Sequence, residues 1–274
     1  MDIVVCIKQV PDTTEVQINE ESKTIERDKA PAILNPFDLY ALEEALRIKD
    51  SIGSGSVTAI SMGPARAKSI IQEALSLGVD KGILISDKVF MGSDTWCTAL
   101  ILAAAIKKIK DWDLILCGKQ AIDGDTAQVG PEIAEILGIP NVTYIKKITK
   151  VTEKTLETRR MIETGHEIVE IKLPGLLTVL KDINVPRLPS LNLMQKAMKT
   201  EIEIWNAADL GLDENEVGLK GSKTVVVETD VPVLKARGKM IEGSVREKAK
   251  KLVSSLVESA NLKIFQESDA YENN

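Results

Sequence analysis

The chain has 274 residues, 44% hydrophobic and 28% charged, which is typical of a globular protein large enough to bury a sizeable core. A formal net charge of −6 and only 3% aromatic residues argue against a general nucleic-acid surface, because such surfaces are basic and stack bases on aromatic rings. No apolar run approaches the roughly 20 residues of a membrane-spanning helix, and the N-terminal apolar run is too short for a signal peptide, so we expect a cytoplasmic protein.

The first half of the sequence alternates between short apolar strands and helical patterns. The strands are expected at residues 2–8, 56–61, 81–86 and 113–117. Helices are expected from Asn35 and Pro36, which suit an N-cap and a first helical position, at 65–77 with Gly78 as the C-cap, and at 94–108. Strands that are apolar on both faces and separated by helices indicate a parallel sheet covered on both sides. We therefore predict a doubly wound, mostly parallel, Rossmann-like α/β fold.

From about residue 142 the pattern changes to consecutive strands, which predicts an added antiparallel segment. These strands are expected at 142–151, 155–161 and 167–172, with a hairpin turn at 163–165. After a further strand at 176–180 comes a proline-containing exposed loop, and Ser190 or Asn192 is expected to cap a short helix.

The end of the chain resembles an extended arm rather than a further domain. An amphipathic helix is expected at 244–262, and it needs a surface that buries Leu252, Val253 and Leu256, either on its own domain or on a partner chain. We therefore divide the chain into an α/β domain at 1–205 and a C-terminal arm at 206–274.

The segment CGKQAIDGDTAQVGPEIAEILGIP, residues 117–140, is the most informative one. It passes from a buried strand through a glycine-containing loop into an apolar helix, a geometry that points backbone N–H groups at an anion. Asp125 or Thr126 is expected to cap this helix. Because proline interrupts a helix beyond its first turn, Pro131 indicates that the regular helix either begins near Gly130 or is kinked there. The loop matches neither GxGxxG nor the P-loop pattern, so the pattern alone leaves phosphate binding and an ordinary loop both open.

Three other segments end at the same edge of the expected sheet. They are residues 8–10, 35–38 and 61–64. Because ligands of doubly wound sheets bind beyond the carboxyl ends of the strands, this convergence predicts a nucleotide cleft there. Asp94, Thr95 and Thr98 could contribute hydroxyl contacts to it or simply cap their helix.

No catalytic residue and no metal site are assigned. His166, the only histidine, lies beside a hairpin turn, so no Ser/His/Asp set can be assembled around it. The spacing of Cys6, Cys97 and Cys117 fits no zinc or iron–sulfur pattern, and we interpret them as small buried apolar residues. A redox function therefore needs a bound cofactor.

Five stretches together resemble the electron-transfer flavoprotein beta subunit family over residues 1–205. They read VCIKQVPD, NPFDLYALEEALRIKD, SMGPARAKSIIQEALSLGVDKGILI, CGKQAIDGDTAQVG and KLPGLLTVLKDINVPRLPSLNLMQKA. The resemblance implies a Rossmann-like domain of the adenine nucleotide hydrolase type that holds a nucleotide. It also implies a heterodimer with a larger alpha subunit, on which the arm packs. Taken with the positions at the sheet edge, the expected cofactor-binding residues are Cys6, Lys8, Gln9, Val10, Asn35, Pro36, Phe37, Asp38, Ser61, Met62, Gly63, Thr95, Thr98, Gly118, Lys119, Gln120, Ala121, Ile122, Asp123, Gly124, Asp125, Thr126, Ala127, Gln128, Val129 and Gly130.

The resemblance leaves two identities for the nucleotide. In ordinary members it is a structural AMP, and the only redox FAD lies in the alpha subunit. In flavin-bifurcating members, which belong to anaerobic metabolism, FAD occupies the site, takes hydride from NADH, and sends one electron to a low-potential acceptor such as ferredoxin and the other to the alpha-subunit FAD. The stretches DGDTAQVGP and SDTWCTA look like the bifurcating group, so FAD and NADH are expected, with AMP as the alternative, and Thr95, Thr98 and Arg160 near the flavin ring or the nicotinamide.

The segment 189–199 resembles the family's recognition loop for a flavin-dependent dehydrogenase. Leu191 matches its leucine anchor, with Leu193 and Met194 beside it, although Leu191 could instead cover its own domain. The following QKAMKTEIE is less basic than in some relatives, which leaves open whether the partner acts on an acyl-CoA, an enoyl-CoA or a 2-hydroxy acid.

Two other classes of protein fit the sequence less well. A stand-alone adenine nucleotide hydrolase would need an SGGxDS-like loop where this chain reads KQVPDTT. A stress-type nucleotide-binding module would be shorter, colourless and expressed alone.

Overall fold

A computed structural model of the chain describes residues 1–12, 31–227 and 240–260. The chain divides into two compact units, Met1–Glu228 and Thr229–Asn274. In the described residues every β-strand belongs to the first unit, which also contains the edge of the sheet where a ligand was expected.

The described strands and helices are numbered in chain order. The strands are β1 (Ile3–Cys6), β2 (Gln9–Pro11), β3 (Ala32–Leu34), β4 (Val57–Met62), β5 (Lys81–Ile85), β6 (Leu114–Gly118), β7 (Asn141–Val151), β8 (Thr155–Ile162), β9 (Gly165–Lys172), β10 (Gly175–Val179) and β11 (Glu203–Trp205). The helices are α1 (Pro36–Ile52), α2 (Lys68–Leu77), α3 (Thr95–Lys108), α4 (Val129–Leu137), α5 (Leu191–Lys199), α6 (Ala207–Leu210), α7 (Gly218–Gly221) and α8 (Val245–Ala260). Single 3₁₀ turns precede α2 and follow β5, at Ala65–Ala67 and Lys88–Phe90.

Nine of the described strands form one sheet, in the order β11-β5-β4-β1-β6-β10-β7-β8-β9. Every neighbouring pair from β11 to β7 is parallel, and β8 and β9 are added antiparallel. This confirms the predicted doubly wound fold with an antiparallel extension. The strands β2 and β3 form a separate antiparallel pair. The sequence predicted a single strand at 2–8 and did not predict this pair.

Alternating side chains of the central strands supply two apolar layers. On β6, Leu114 and Leu116 face the layer that contains α1 and α2, whereas Ile115 and Cys117 face the layer that contains α3 and α4. Each fully buried side chain of leucine or isoleucine size contributes about 1.5–3 kcal/mol, so the two layers hold both pairs of helices against the sheet. This two-sided burial is the reason why the central strands are apolar throughout.

The order of the strands creates a crevice between β1 and β6. The chain moves outward from β1 through β4 to β5, then crosses back and places β6 on the other side of β1. The connections that follow these two strands therefore run in opposite directions, and the crevice between them opens at the carboxyl edge. Ligands of doubly wound folds bind at this kind of reversal.

The helix ends agree only partly with the sequence. Gly78 ends α2 in a left-handed conformation with φ of 114°, and the Ser190 hydroxyl caps α5, both as predicted. The predicted cap of α4 by Asp125 or Thr126 is wrong, because the residue before the helix is Gln128. Pro131 lies in the first turn of α4, where its missing N–H removes no helical hydrogen bond.

The hairpin between β8 and β9 is tighter than predicted. Its turn contains two residues, Glu163 and Thr164, because Gly165 is already paired with Ile162. His166 lies opposite Met161 next to this turn, as expected from the sequence.

The described part of the second unit consists mainly of α8. Ser244 precedes this helix and donates from its N–H and its hydroxyl to Glu247, both at 2.8 Å. About half of the surface of Leu252, Val253 and Leu256 is exposed. The last two residues of the predicted helix, 261 and 262, lie outside the described residues. Among the described helices of both units, none is long and apolar enough to cross a lipid bilayer.

Candidate functional site

A cavity of about 1000 Å³ opens at the carboxyl edge of β1 and β6. Cys6 and Cys117, at the ends of these two strands, and Met62 at the end of β4 contribute to its lining. The cavity lies on the side of the sheet that carries α3 and α4, because Cys6 and Cys117 point into that layer. Its position coincides with the reversal of the strand order, where ligands of this fold class bind.

The loop between β6 and α4 forms one wall of the cavity. Asp125 and Ala127 both adopt left-handed backbone conformations, with φ of 56°, which are uncommon for residues other than glycine. Among the described residues, no acceptor lies in hydrogen-bond range of the backbone N–H groups of residues 126–130. Because residues 129 and 130 also begin α4, these free N–H groups and the helix dipole together favour an anion.

Two glycines let the backbone approach closely at this wall. A side chain at Gly118 would collide with the Asp38 carboxylate and with the backbone of Phe37. A Cβ at Gly130 would lie 2.7 Å from the Thr178 methyl group on β10. Glycine is therefore required at both positions by the packing of the strand end and of the helix start.

Asn35 connects the first helix to the cavity loop. The sequence predicted it as the N-cap of α1, but its side chain makes no capping hydrogen bond. Its amide instead donates to the Gln120 carbonyl at 2.9 Å, and its side-chain oxygen accepts from Ile122 N–H at 3.2 Å. With only 1% of its surface exposed, Asn35 holds the middle of the loop in place from below.

Further polar contacts fix the loop from outside. The Lys8 ammonium binds both carboxylate oxygens of Asp123, at 2.7 and 2.9 Å. Gln120 donates its side-chain amide to Asp125 within the loop. The Lys119 ammonium lies over the ring of Tyr144, 5.2 Å from its centroid. The loop is therefore held in shape by its own chain before any ligand binds.

Asp38 is a buried carboxyl group in the lining of the cavity. It lies in the first turn of α1 and accepts a hydrogen bond from Lys8 N–H at 2.8 Å. Burial raises the pKa of Asp38 from 3.8 to about 7, and the hydrogen bonds that it accepts lower the value less. Near neutral pH this carboxyl therefore exchanges a proton at the edge of the cavity.

Cys6 and Cys117 are opposite each other on neighbouring strands and face the same side. A hydrogen bond with Cys6, together with burial, raises the pKa of Cys117 well above its ordinary value. The Cys117 thiol therefore stays protonated and is a poor nucleophile at neutral pH. This agrees with the interpretation of the cysteines as small buried apolar residues, and all three are free thiols.

The start of α3 forms the opposite wall. Asp94 caps this helix by accepting from Cys97 N–H, and Thr95 donates its hydroxyl to Glu132 on α4 at 3.1 Å. The second carboxylate oxygen of Glu132 is buried and has no hydrogen-bond partner among the described residues. Burial raises the pKa of Glu132. This unused acceptor at the cavity fits a ligand that offers a hydroxyl or N–H group.

Most, but not all, of the expected cofactor-binding residues surround the cavity. Those in its lining are Cys6, Lys8, Asn35, Asp38, Met62, Thr95, Thr98, Gly118, Lys119, Gln120, Ala121, Gly124, Asp125, Thr126, Ala127, Gln128, Val129 and Gly130. Those outside its lining are Gln9, Val10, Pro36, Phe37, Ser61, Gly63, Ile122 and Asp123.

The residues outside the lining have other contacts. Gln9 donates to the Ser69 hydroxyl at 3.0 Å, Val10 is buried, and Ser61 is fully buried beneath the cavity. Ile122 and Asp123 contact Asn35 and Lys8, so they shape the loop from behind. Arg160, expected near the ring or the nicotinamide, lies on β8 with its guanidinium 3.9 Å from Glu167 and does not line the cavity.

Sequence reasoning missed several residues of the lining, which come from α3, α4, α7 and the segment after α7. These residues are Trp96, Leu102, Glu132, Leu219, Lys223, Thr224, Val225 and Val226. The last four follow α7 near the end of the first unit and reach the cavity only through the fold. No short-range pattern in the sequence marks them.

The expected partner-binding residues lie on α5, away from the cavity. Leu191 is 77% exposed and Met194 is 44% exposed, whereas Leu193 is partly buried beside Gly78. The loop before α5 is anchored to α1, because Arg187 binds Glu43 at 2.8 Å. Leu191 therefore projects from a fixed base rather than covering its own domain.

The fold and the cavity together define a doubly wound α/β protein whose switch-point cavity suits an anionic, phosphate-bearing ligand. The donors are backbone amides, and in the described residues no cluster of histidine, cysteine or carboxylate side chains could hold a metal ion. The arrangement can bind and orient a ligand.

The comparisons with known proteins give the family. Residues 22–210 match the electron transfer flavoprotein domain. The chain is 49% identical to the electron transfer flavoprotein subunit beta of Thermoanaerobacterium thermosaccharolyticum, over 93% of this chain and 98% of that one. It is 47% identical to the caffeyl-CoA reductase-Etf complex subunit CarD of Acetobacterium woodii, over 94% and 98%, and 44% identical to the protein FixA of Azotobacter vinelandii, over 88% and 87%. The chain belongs to the electron transfer flavoprotein family, as a beta subunit.

Proposed function

We propose that this chain is the beta subunit of an electron-bifurcating flavoprotein, in which FAD rather than AMP occupies the cavity. A bound FAD would supply the capacity to accept two electrons as a hydride from NADH and to release them singly, one to a low-potential acceptor such as ferredoxin and one through an alpha-subunit FAD to or from a dehydrogenase. The residues of this chain bind and orient the cofactor and exclude water from it, and none needs to act as a general base.

The volume and the lining of the cavity are the main support for FAD rather than AMP as its ligand. FAD is AMP extended through a second phosphate by a ribityl chain and a three-ring isoalloxazine. The volume of about 1000 Å³ lies at the upper end of the range for small-molecule sites. Its lining continues past the β6–α4 loop to the start of α3 and to residues 223–226, a region that AMP bound at the loop would leave empty.

The free amides suit the diphosphate of such a dinucleotide. Five consecutive residues, 126–130, include the N-terminus of α4 and have no competing acceptors among the described residues. Backbone N–H groups of this kind bind phosphate oxygens without a metal ion. Lys223 lines the same cavity and adds a positive charge.

Glu132 offers a contact for the riboflavin part. Its unpartnered oxygen is an acceptor, and the ribityl chain of FAD carries three hydroxyl donors. Thr95 holds the other oxygen of Glu132 and so fixes the direction of the free one.

The partner proteins are proposed from the family and from exposed surfaces. A larger alpha subunit would cover the half-exposed apolar residues Leu252, Val253 and Leu256 of α8. Leu191 and Met194 would dock a flavin-dependent dehydrogenase. The name of the relative from Acetobacterium woodii refers to a complex with a caffeyl-CoA reductase, which favours a partner that acts on a CoA ester.

Nucleotide analysis of the co-purified heterodimer tests this proposal. Nucleotides released by heat would be separated and quantified, and the intact complex would be titrated with NADH while the flavin absorbance is followed. We expect two FAD per heterodimer and bleaching by NADH. One FAD and one AMP per heterodimer, with no response to NADH, would contradict the proposal.

A further inference from the structure

Residues 222–226 are here called the strap, and Lys223 and Thr224 of the strap are attached to the start of α3 through the Asp94 carboxylate. One Asp94 oxygen accepts from Lys223 N–H at 2.7 Å, from Thr224 N–H at 2.9 Å and from the Thr224 hydroxyl at 3.1 Å. The other oxygen accepts from Cys97 N–H at 3.0 Å and caps α3. Asp94 therefore joins the helix and the strap.

The outer part of the strap has no other polar attachment in the described part of the chain. The Ser222 hydroxyl accepts from Asp94 N–H at 2.9 Å and bonds to the Gly92 and Gly218 carbonyls, which fixes where the strap begins. Beyond Thr224, Val225 and Val226 are 64% and 77% exposed and make no hydrogen bond. Their position over the cavity therefore depends on Asp94.

Asp94 is suited to this role because it is charged. Burial alone would raise the pKa of Asp94, but the hydrogen bonds that it accepts lower the pKa below its ordinary value. The carboxylate is thus ionised at neutral pH, and hydrogen bonds to an ionised acceptor are stronger than neutral ones.

We propose that Asp94 is a positioning residue that fixes the strap as a wall over the flavin half of the cavity, and so makes the site retain a dinucleotide in preference to a mononucleotide. This inference rests on the proposed function, because it assigns the strap side of the cavity to the riboflavin part. The β6–α4 loop would bind the phosphates of either nucleotide, whereas only FAD reaches the strap.

Replacing Asp94 by asparagine separates the two roles of the carboxylate. In Asp94→Asn one oxygen remains to cap α3, and asparagine is a good N-cap. The other position becomes an NH₂ group that faces the Lys223 and Thr224 donors, so the strap loses its acceptor. Thr224→Val is a milder variant, since it removes one of the three donors and leaves both backbone N–H groups in place.

Asp87 offers a matched control. Its carboxylate also caps a short helix, accepting from Val89 N–H at 3.2 Å, and also binds a distant backbone, accepting from Ala207 N–H at 3.1 Å. It does not line the cavity. Asp87→Asn therefore repeats the chemical change at a place with no strap.

The experiment measures FAD and AMP binding at the beta-subunit site of the complete heterodimer, by equilibrium dialysis after exchange of its nucleotide. For Asp94→Asn we expect the Kd for FAD to rise roughly 10- to 100-fold, with Thr224→Val less affected, while AMP binding changes less than about twofold and Asp87→Asn changes neither. Equal losses for FAD and AMP, or unchanged FAD binding in Asp94→Asn, would overturn the inference alone. Failure of the unmodified complex to bind FAD at this site would overturn the proposed function and the inference with it.

Discussion

The replacement Asn35→Ala tests most sharply whether the cavity loop is held in place by the first helix. The Asn35 side chain makes hydrogen bonds to Gln120 and Ile122 and makes none that caps its own helix. Its loss should therefore act on the loop rather than on α1. Because the loop presents the amides of residues 126–130, we expect the variant to lose nucleotide affinity.

The size of the effect follows from the groups left without partners. Truncation removes two hydrogen bonds and leaves the Gln120 carbonyl and the Ile122 N–H unsatisfied, which costs about 1–3 kcal/mol for each group that stays buried. Both loop residues are partly exposed, so water offsets some of this cost, and we expect a loss of about 2 kcal/mol. If the ligand has to restore the loop, the Kd for FAD rises roughly 30-fold, since 1.4 kcal/mol is a factor of ten.

Asn184→Ala is the matched control for this prediction. Asn184 is also buried and donates to the Tyr40 carbonyl at 3.0 Å and to Glu44 at 2.8 Å, but it anchors the loop before α5. Thermal unfolding and FAD titration of both variants, each in the heterodimer, would separate stability from binding. We expect similar losses of stability and a loss of FAD affinity only in Asn35→Ala. Unchanged FAD affinity in Asn35→Ala would refute the reasoning.

Three further predictions follow from the structure. Gly130→Ala should weaken FAD binding in a titration, because the added Cβ would lie 2.7 Å from the Thr178 methyl group. In Gly124→Ala, in the loop before α4, the added Cβ meets no atom within 4 Å, so this variant should bind FAD normally. Equal affinities of the two variants would contradict this prediction. The pKa of Asp38 is raised from 3.8 to about 7, so between these pH values the folded protein holds a proton that the unfolded chain has lost. The free energy of unfolding should therefore fall as pH rises from about 4 to about 7 and level off above that range. Denaturant unfolding across this pH range should show a flatter profile in Asp38→Asn, and an unaltered profile would count against the burial effect. Leu191→Ala should slow electron exchange with the partner dehydrogenase while leaving thermal stability unchanged, since the side chain is 77% exposed; unaltered rates would place the docking surface elsewhere.

Local patterns in the sequence were sufficient for most of the fold. The apolar runs of β4, β5 and β6, and local end signals such as Gly78 and Ser190, predicted strands and helices that the structure confirms. These signals depend only on neighbouring residues, so they can be read without knowing the fold. The carboxyl edge as the location of the cavity followed from the strand order that they imply.

The errors and omissions involve short elements and distant pairings. Strands β2, β3 and β11 contain three residues each, too few to show an alternating pattern. The position of Asn35 next to Pro36 predicts a helix cap, whereas the hydrogen-bond partners of its side chain lie 85 and 87 residues further along the chain. The same asparagine side chain can cap a helix or bind a distant loop, and only the fold distinguishes the two roles.

The strap is the clearest case of a feature that sequence patterns cannot reveal. The sequence position of Asp94 is compatible with a helix cap or a ligand contact, and the residue does cap α3. Its second oxygen accepts from the backbone N–H groups of Lys223 and Thr224, which lie 129 and 130 positions further along the chain. The sequence around a backbone N–H group does not indicate which acceptor it binds. The apolar residues 225–226 could then be interpreted only as part of an extended arm.

The structure of the heterodimer, determined at a resolution that shows bound nucleotides, tests the central claim most directly. We predict density for FAD in the cavity of this subunit, with the diphosphate on the amides of residues 126–130 and the isoalloxazine between the start of α3 and the strap. AMP alone at the loop, with the strap side of the cavity filled by water, would contradict the account.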